Sequence, residues 1–240
     1  MIIRPFLRCT FFVLLLLSTA VIHAAPLVAV DVGHGVRDAG AFSARGRSEF
    51  EFNRDFAVIL AGALRQRKFV VREVNFSGNV TVLADRPLAA RGSNFFISIH
   101  HDSISERYLQ FWDWDGSEAS YTNDKRGFGL FVSKDNPHLA LSLRCASQIG
   151  NSLRQQEVLP TPCQGRKNQT ADAENGVWFY DNLVVLYRTT LPAVLFEVGV
   201  IKHREEELEL LDPQRQERMA EAVAGGIAEC LDVKEKSALE

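Results

Sequence analysis

Short apolar runs alternate along the chain with longer segments in which apolar residues recur at helical spacing. Three runs are almost continuously apolar and end in polar or glycine residues, at positions 27–32, 95–100 and 193–199. Runs of about four to eight such residues are typical of strands buried within a sheet. Between the first two runs, apolar residues repeat every three or four positions from Phe52 to Ala63, which predicts a helix that ends near Lys68.

The same reasoning extends over the rest of the chain. Two further strands are predicted at 69–74 and 127–132. Three further helices are predicted at 83–91, 136–155 and 212–231. Polar stretches at 101–126 and 157–175 are predicted to be loops. Strands that alternate with helices predict an α/β fold, in which a largely parallel or mixed central sheet carries helices on both faces. We expect a single domain over residues 26–232 and a flexible tail at 233–240.

Residues 1–25 have the layout of a secretory signal peptide. Arg4 and Arg8 give a basic start, an apolar run occupies 11–22, and Ala24 and Ala25 are small residues suited to cleavage. A mature anchor needs about 20 apolar residues, and no later run is that long. We therefore expect an exported protein without a stable membrane anchor, located in the periplasm or otherwise secreted or held at the cell wall. An uncleaved N-terminal anchor is the alternative.

Charge and cysteine content narrow the classes of partner and site. The formal net charge is −3, with 27 basic and 30 acidic side chains, and no basic stripe is present, which argues against nucleic acid as a partner. Three cysteines follow the leader, Cys145, Cys163 and Cys230. An oxidising compartment permits one disulfide among them, but the sequence leaves the pairing open. Their spacing does not match a thiolate zinc site.

Polar residues with metal-binding side chains fall where three of the predicted strands end. His34 follows the first apolar run between two glycines, His100 ends the second, and Glu197 interrupts the third. The carboxyl ends of parallel strands meet at one edge of a sheet, where functional groups collect. Burial of Glu197 within an apolar strand would be costly without a charged partner or a function. A zinc-dependent hydrolase needs such a carboxylate near its metal ligands, so the pattern indicates a hydrolytic zinc site.

With these residues, the chain resembles the zinc-dependent N-acetylmuramoyl-L-alanine amidases of the type 3 cell-wall amidase family. Four motifs carry the resemblance, in order: Asp31-Val32-Gly33-His34-Gly35 with 38–41, Glu49 before Asn53 and Ala57, Arg86 before 96–100, and 191–199. The resemblance implies that His34, Glu49 and His100 bind zinc and that Glu197 is the catalytic carboxylate.

The resemblance also implies the reaction and the partner. The expected reaction is hydrolysis of the amide that joins the lactyl group of N-acetylmuramic acid to the L-alanine of the peptidoglycan stem peptide. Zn²⁺ is the expected cofactor, peptidoglycan the expected partner and a monomer the expected state, while a protein activator is left open. Two other functions compete: a zinc exopeptidase that acts on peptides, and a non-catalytic peptidoglycan-binding protein.

Two of the predicted ligands have neighbours of the same residue type. His101 competes with His100, and since neighbouring strand residues point to opposite faces of a sheet, one of the two faces the metal. Glu51 competes with Glu49, but Ser48 and Glu51 have the spacing of a capping box, which gives Glu51 a structural role. We favour His100 and Glu49.

Two clusters outside these motifs are interpreted as structural. Tyr108, Trp112, Trp114 and Tyr121 lie in the predicted loop at 101–126, and they either pack that loop onto the domain or stack on sugar rings. We favour packing. The acidic run at 205–207 is interpreted as the solvated face of a helix.

Overall fold

A computed structural model of the chain describes residues 24–162 and 169–232. Most of the predicted signal peptide, the predicted tail at 233–240 and Cys163 lie outside these residues, so their predicted roles stay predictions. Within the described part of the chain, no helix is both long and apolar enough to cross a membrane.

The described residues form nine strands and six helices. The strands are β1 (Leu27–Val32), β2 (Val70–Val74), β3 (Phe95–Asp102), β4 (Gln110–Trp114), β5 (Ser117–Tyr121), β6 (Gly129–Val132), β7 (Thr170–Asp172), β8 (Val177–Phe179) and β9 (Ala193–Val200). The helices are α1 (Glu49–Gln66), α2 (Asp85–Ala89), α3 (Leu139–Gln155), α4 (Val184–Tyr187), α5 (Glu206–Leu210) and α6 (Pro213–Cys230).

Seven of the strands form one mixed sheet, in the order β2-β1-β3-β9-β6-β8-β7. Strands β1, β2, β3 and β9 run parallel to one another, whereas β6 is antiparallel to β9 and β7 is antiparallel to β8. The predicted α/β class, with a mixed central sheet in a single domain, is confirmed. The three continuously apolar runs became adjacent strands in the centre of the sheet, because strands covered on both faces cannot carry polar side chains on either face without cost.

The two faces of the sheet are covered unequally. One face packs against the long helices α1, α3 and α6 in a large apolar cluster that includes Ile97, Ile99 and Phe196. The other face carries a smaller cluster that includes Phe96 and Leu195, and it is covered near the short helices α2 and α4. Since side chains alternate along a strand, odd and even positions of β3 and β9 face different layers.

The predicted loop at 101–126 contains a two-stranded antiparallel hairpin, β4–β5, outside the main sheet. Trp112 stacks on Trp114 with ring centroids 5.1 Å apart, and its indole N–H donates to the Ala44 carbonyl at 3.1 Å. The Arg45 guanidinium lies 4.7 Å from the Trp114 ring centroid. These contacts attach the hairpin to the segment before α1, so the aromatic residues pack the insertion onto the domain. Its polar composition concealed the strands.

The interpretation of residues 205–207 as a solvated helix face is wrong for two of the three. Glu206 and Glu207 are buried. Glu206 accepts hydrogen bonds from the backbone N–H groups of Gly127 and Val200, and Glu207 accepts one from Arg45 Nη1 at 2.6 Å. The carboxylates therefore connect α5 to the end of β9 and to the segment before α1. These partners are distant in sequence, which is why charge patterning alone did not reveal them.

A disulfide joins Cys145 in α3 to Cys230 in α6. Both cysteines are buried, and they link two of the helices that cover the large apolar cluster. The sequence had left the pairing open, because nothing in the spacing of the cysteines reports which helices pack together.

Candidate metal centre

The candidate site lies at the carboxyl ends of three adjacent strands. His34 follows β1 by two residues, His100 lies near the end of β3, and Glu197 lies in β9. His100 and Glu197 are register partners across the β3–β9 ladder. Both side chains belong to the less covered face of the sheet, since they lie in phase with Phe96 and Leu195. The sheet register therefore brings the three predicted residues to one edge.

The backbone at His34 is held in an unusual conformation. His34 has a φ of 61°, in the left-handed region that non-glycine residues seldom adopt. Its carbonyl oxygen accepts hydrogen bonds from Asn75 Nδ2 and Arg86 Nη2, each at 2.6 Å. A Cβ on Gly33 would lie 2.4 Å from the His100 ring, so any other residue there would displace that ring. These constraints fix the direction in which the His34 imidazole points.

The first residue of α1 completes the cluster. Glu49 Oε2 lies 3.2 Å from His34 Nε2, and Glu49 Oε1 lies 3.0 Å from His100 Nδ1. Each of the three residues offers one ligand atom, and these three atoms all lie within 4.8 Å of one another. The carboxylate also accepts the Ala41 N–H at 3.2 Å and Asn53 Nδ2 at 3.3 Å. The structure thus brings His34, Glu49 and His100 together in an arrangement that could hold a metal ion.

Electrostatics favour charge separation within this cluster. Burial alone would raise the pKa of the Glu49 carboxyl, but hydrogen bonds from His100 and His34 outweigh it and hold that pKa well below its usual range. Burial alone would lower the pKa of His34, but the hydrogen bond and charge of Glu49 raise it above its usual value. Glu49 is therefore ionised and presents both oxygens to the histidines.

The two competing residues lie elsewhere. His101 points to the opposite face, where it is 2% exposed and its ring centroid lies 5.4 Å from that of Phe52. Burial lowers the pKa of His101 to about 3, so the imidazole is neutral near pH 7. Glu51 accepts the Ser48 N–H at 3.3 Å, as expected for its capping role. Neither side chain belongs to the cluster.

Glu197 is a half-buried carboxylate beside this cluster. Its Oε2 atom is inaccessible and has no hydrogen-bond partner among the described residues. Burial raises the pKa of Glu197 well above its usual value, and the negative charges of Asp102 and Glu49 add to that effect. A carboxylate kept in this way has a high proton affinity, a property suited to general acid–base chemistry.

A cleft gives access to these residues from solvent. It has a volume of about 760 Å³ and is lined by His34, His100 and Glu197, together with Arg37, Thr81 and Leu183. Glu197 also lines a smaller cleft of about 300 Å³, together with Phe131, Trp178, Phe179 and Tyr180. Glu197 and Leu183 line both clefts, so the two clefts adjoin at these residues.

A buried polar group behind the cluster was not predicted as part of the site. Asp31 is fully buried, accepts a hydrogen bond from Ser98 Oγ at 2.7 Å, and lies 3.7 Å from Arg86 Nη1. Burial raises the pKa of Asp31 to about 6, and Arg86 and Ser98 oppose that rise. Asp31 and Ser98 were visible in the sequence as polar interruptions of two apolar strands. Arg86 lies in the short helix α2, and only the fold shows that it reaches Asp31.

A mixed α/β sheet with a His–Glu–His cluster and a half-buried carboxylate at its strand ends defines a domain with the donor groups of metal-dependent hydrolases. Comparison with known proteins gives the family. The sequence profile described as N-acetylmuramoyl-L-alanine amidase matches residues 28–229, and the chain belongs to this type 3 amidase family. The resemblance inferred from the four motifs is confirmed.

Individual relatives agree with this assignment. The probable N-acetylmuramoyl-L-alanine amidase AmiB of Haemophilus influenzae is 27% identical, over 86% of this chain and 52% of that protein. The chain thus spans about half the length of this curated relative. The catalytic domain of CwlV, an amidase from Bacillus (Paenibacillus) polymyxa var. colistinus, is 26% identical, with a TM-score of 0.62 over 87% of this chain and 99% of that one.

A more distant structure shares the fold. The N-acetylmuramoyl-L-alanine amidase from Clostridium difficile 630 matches with a TM-score of 0.70 over 89% of this chain and 100% of that one. Its sequence identity is 22%, so this likeness concerns the fold alone.

Proposed function

We propose that this chain hydrolyses the amide bond between N-acetylmuramic acid and the L-alanine of peptidoglycan stem peptides, with zinc held by His34, Glu49 and His100. The observation that carries the proposal is that ligand atoms of these three side chains lie within 4.8 Å of one another, next to Glu197, whose buried Oε2 atom has no hydrogen-bond partner among the described residues. Family membership supports the choice of an amide as the bond that is cleaved.

The donor groups fit zinc. Two imidazole nitrogens and a carboxylate oxygen are a ligand set that catalytic zinc sites use, with a fourth position left for water or substrate. The position of Glu49 between the two histidines, with each of its oxygens against one ring, leaves its charge available to a cation. When bound, the ion supplies a Lewis acid that polarises the scissile carbonyl and makes the attacking water more acidic.

The protein's own contribution to proton transfer comes from Glu197. Its raised proton affinity allows the carboxylate to accept a proton from the attacking water and to pass that proton to the leaving amine of L-alanine. The amide C–N bond breaks, the lactyl group leaves as a carboxylic acid, and the stem peptide leaves with a free amino terminus.

The shape of the cleft suits a substrate that extends in two directions from the cleaved bond. A saccharide lies on one side of the amide and a peptide on the other, and two clefts adjoin at Glu197. An enzyme that removes single residues from a peptide end needs a site that is closed on one side. The two adjoining clefts therefore support the amidase over the exopeptidase.

Purified peptidoglycan provides the test. We expect the protein to release intact stem peptides with free N-terminal alanine, detected by mass spectrometry and by labelling of new amino groups. A chelator should abolish the release, and added Zn²⁺ should restore it. Trimming of single terminal amino acids would identify an exopeptidase instead, and binding without any products would identify a non-catalytic wall-binding protein. In either case the proposed reaction would be wrong.

A variant of one predicted ligand tests whether the cluster binds zinc. His34→Ala removes one imidazole, so we expect the purified variant to hold much less than one equivalent of zinc by elemental analysis and to lose hydrolysis. His138→Ala is a matched control, since His138 precedes α3 and is not part of the cluster. Full zinc content in His34→Ala would overturn the ligand assignment without bearing on the reaction.

The compartment belongs to the same proposal. Substrate chemistry requires export to the peptidoglycan layer, and the periplasm is the compartment we propose. The disulfide between Cys145 and Cys230 supports an oxidising environment. Peptidoglycan is the proposed partner, and a protein activator and a monomeric state stay predictions.

A further inference from the structure

A buried amide connects the candidate metal centre to the opposite face of the sheet. Asn53, one turn after Glu49 in α1, is fully buried. Its Nδ2 atom lies 3.3 Å from Glu49 Oε1 and 3.2 Å from the Gly33 carbonyl oxygen. Its Oδ1 atom lies 2.8 Å from His101 Nδ1. The two ends of one amide therefore contact the cluster and the adjacent histidine.

The donor and acceptor roles in this series of hydrogen bonds follow from which groups carry hydrogen. The Gly33 carbonyl and the ionised Glu49 carboxylate can only accept, so Asn53 must present its NH₂ group to both. The Asn53 carbonyl oxygen then faces His101 and can only accept, so His101 Nδ1 must carry the hydrogen. A side chain without a donor at this position would leave the buried amide oxygen unsatisfied, at a cost that favours displacement of the amide from its two acceptors.

We propose that His101 is a positioning residue, which holds Asn53 in the orientation that directs its NH₂ group at Glu49 and so prepares this carboxylate to bind the metal. The inference rests on the proposed zinc site. His101 contacts no ligand through its side chain in this arrangement and acts through Asn53. Its backbone N–H, 3.4 Å from Glu49 Oε1, is present whatever the side chain.

Zinc affinity of the purified protein, measured by competition with a chromophoric chelator, is the primary test. His101→Leu keeps an apolar side chain of similar size but removes the donor. Loss of a hydrogen-bond partner behind a metal ligand costs about 10- to 100-fold in metal affinity, and we expect a loss in this range. His101→Asn places an amide nitrogen near the position of Nδ1, and we expect it to retain an affinity within a few-fold of the wild type.

A double-mutant cycle tests whether His101 acts through Asn53. Asn53→Leu should weaken zinc binding by itself, and adding His101→Leu to that background should cause little further loss, because the connection is already broken. Phe56→Leu is the matched control for packing, since its ring lies against that of His101 at 6.5 Å but makes no hydrogen bond in the chain. It should lower thermal stability and leave zinc affinity unchanged.

The outcomes separate this inference from the proposed function. Wild-type zinc affinity in a folded His101→Leu protein would overturn the positioning role while leaving the zinc site intact, and so would losses that add fully in the double mutant. If His101→Leu does not fold, His101→Asn decides: an affinity as low as that of Asn53→Leu would contradict the role of the Nδ1 donor. Failure of the wild-type protein to bind zinc would instead overturn the proposed function on which the inference rests.

Discussion

The two faces of the central sheet differ in what covers them and in what they carry. One face packs against α1, α3 and α6, which are 18, 17 and 18 residues long, and its strand residues are apolar. The other face lies near α2 and α4, which have five and four residues. There the strands carry Asp31, Ser98, His100 and Glu197 in phase with a few apolar residues.

This difference shows how one sheet meets two demands. Burial of apolar surface against long helices provides most of the stabilising free energy, while the short helices leave the strand ends of the other face accessible. Charged groups can then be placed on a rigid support without weakening the main core. The His101 side chain is the exception, because it belongs to the packed face and yet contacts, through Asn53, the cluster on the other.

The largest effect on activity is expected from Glu197→Gln, on the face of the sheet near α2 and α4. Removal of a general base reduces hydrolysis of peptidoglycan by about 10²- to 10⁴-fold, while zinc content stays near one equivalent. Thermal stability should be unchanged or higher, because the fold no longer buries a carboxylate whose pKa is raised. Glu118→Gln on the exposed β5 strand is the control and should have wild-type activity. Full activity in Glu197→Gln would contradict the role of this carboxylate.

A substitution on the face covered by α1, α3 and α6 should lower stability and leave activity unchanged. Ile149→Ala in α3 removes a fully buried side chain, and we expect the free energy of unfolding to fall by about 2–5 kcal/mol. Activity and zinc affinity measured well below the unfolding transition should not change. Leu88→Ala in α2 is the variant for comparison, since Leu88 is 46% exposed and should contribute little to the free energy of unfolding. Equal losses of stability at the two positions, measured by chemical denaturation, would show that the faces do not differ as described.

An effect that is smaller for each pH unit should appear in the pH dependence of stability. His101 has an ordinary pKa of 6.5 and a pKa of about 3 in the folded protein. The unfolded chain therefore binds a proton between these values that the folded chain does not, so stability falls as the pH falls through this window, by at most about 1.4 kcal/mol per pH unit. Denaturation of the metal-free His101→Asn protein should show a shallower dependence than the wild type. Parallel curves would mean that His101 titrates normally.

The central strands and three of the four candidate site residues could be predicted from sequence for a physical reason. A strand buried on both faces leaves an almost uninterrupted apolar run, and polar residues such as His34, His100 and Glu197 then stand out at its end. Glu49 had no such signal, because an acidic residue in the first turn of a helix is common. The family resemblance supplied its predicted role.

The remaining features depend on contacts between distant segments. The burial of Glu206 and Glu207 depends on partners that include Arg215 and Arg45, and no local pattern reports these pairs. The connection between His101 and Asn53 likewise joins a strand to a helix that precedes it by 48 positions. The hairpin β4–β5 was missed because its strands are short and largely exposed, so they lack the apolar alternation by which strands are recognised.

The bond between Cys145 and Cys230 closes a covalent ring of chain that contains β7, β8 and β9. Glu197 lies inside the ring, whereas His34, Glu49 and His100 lie outside it. A protease that cuts any one peptide bond within the ring therefore leaves both pieces attached. A nicked molecule migrates as one species without reductant and as two with it, and the Glu197 carboxylate stays tethered to the segment that carries His34, Glu49 and His100.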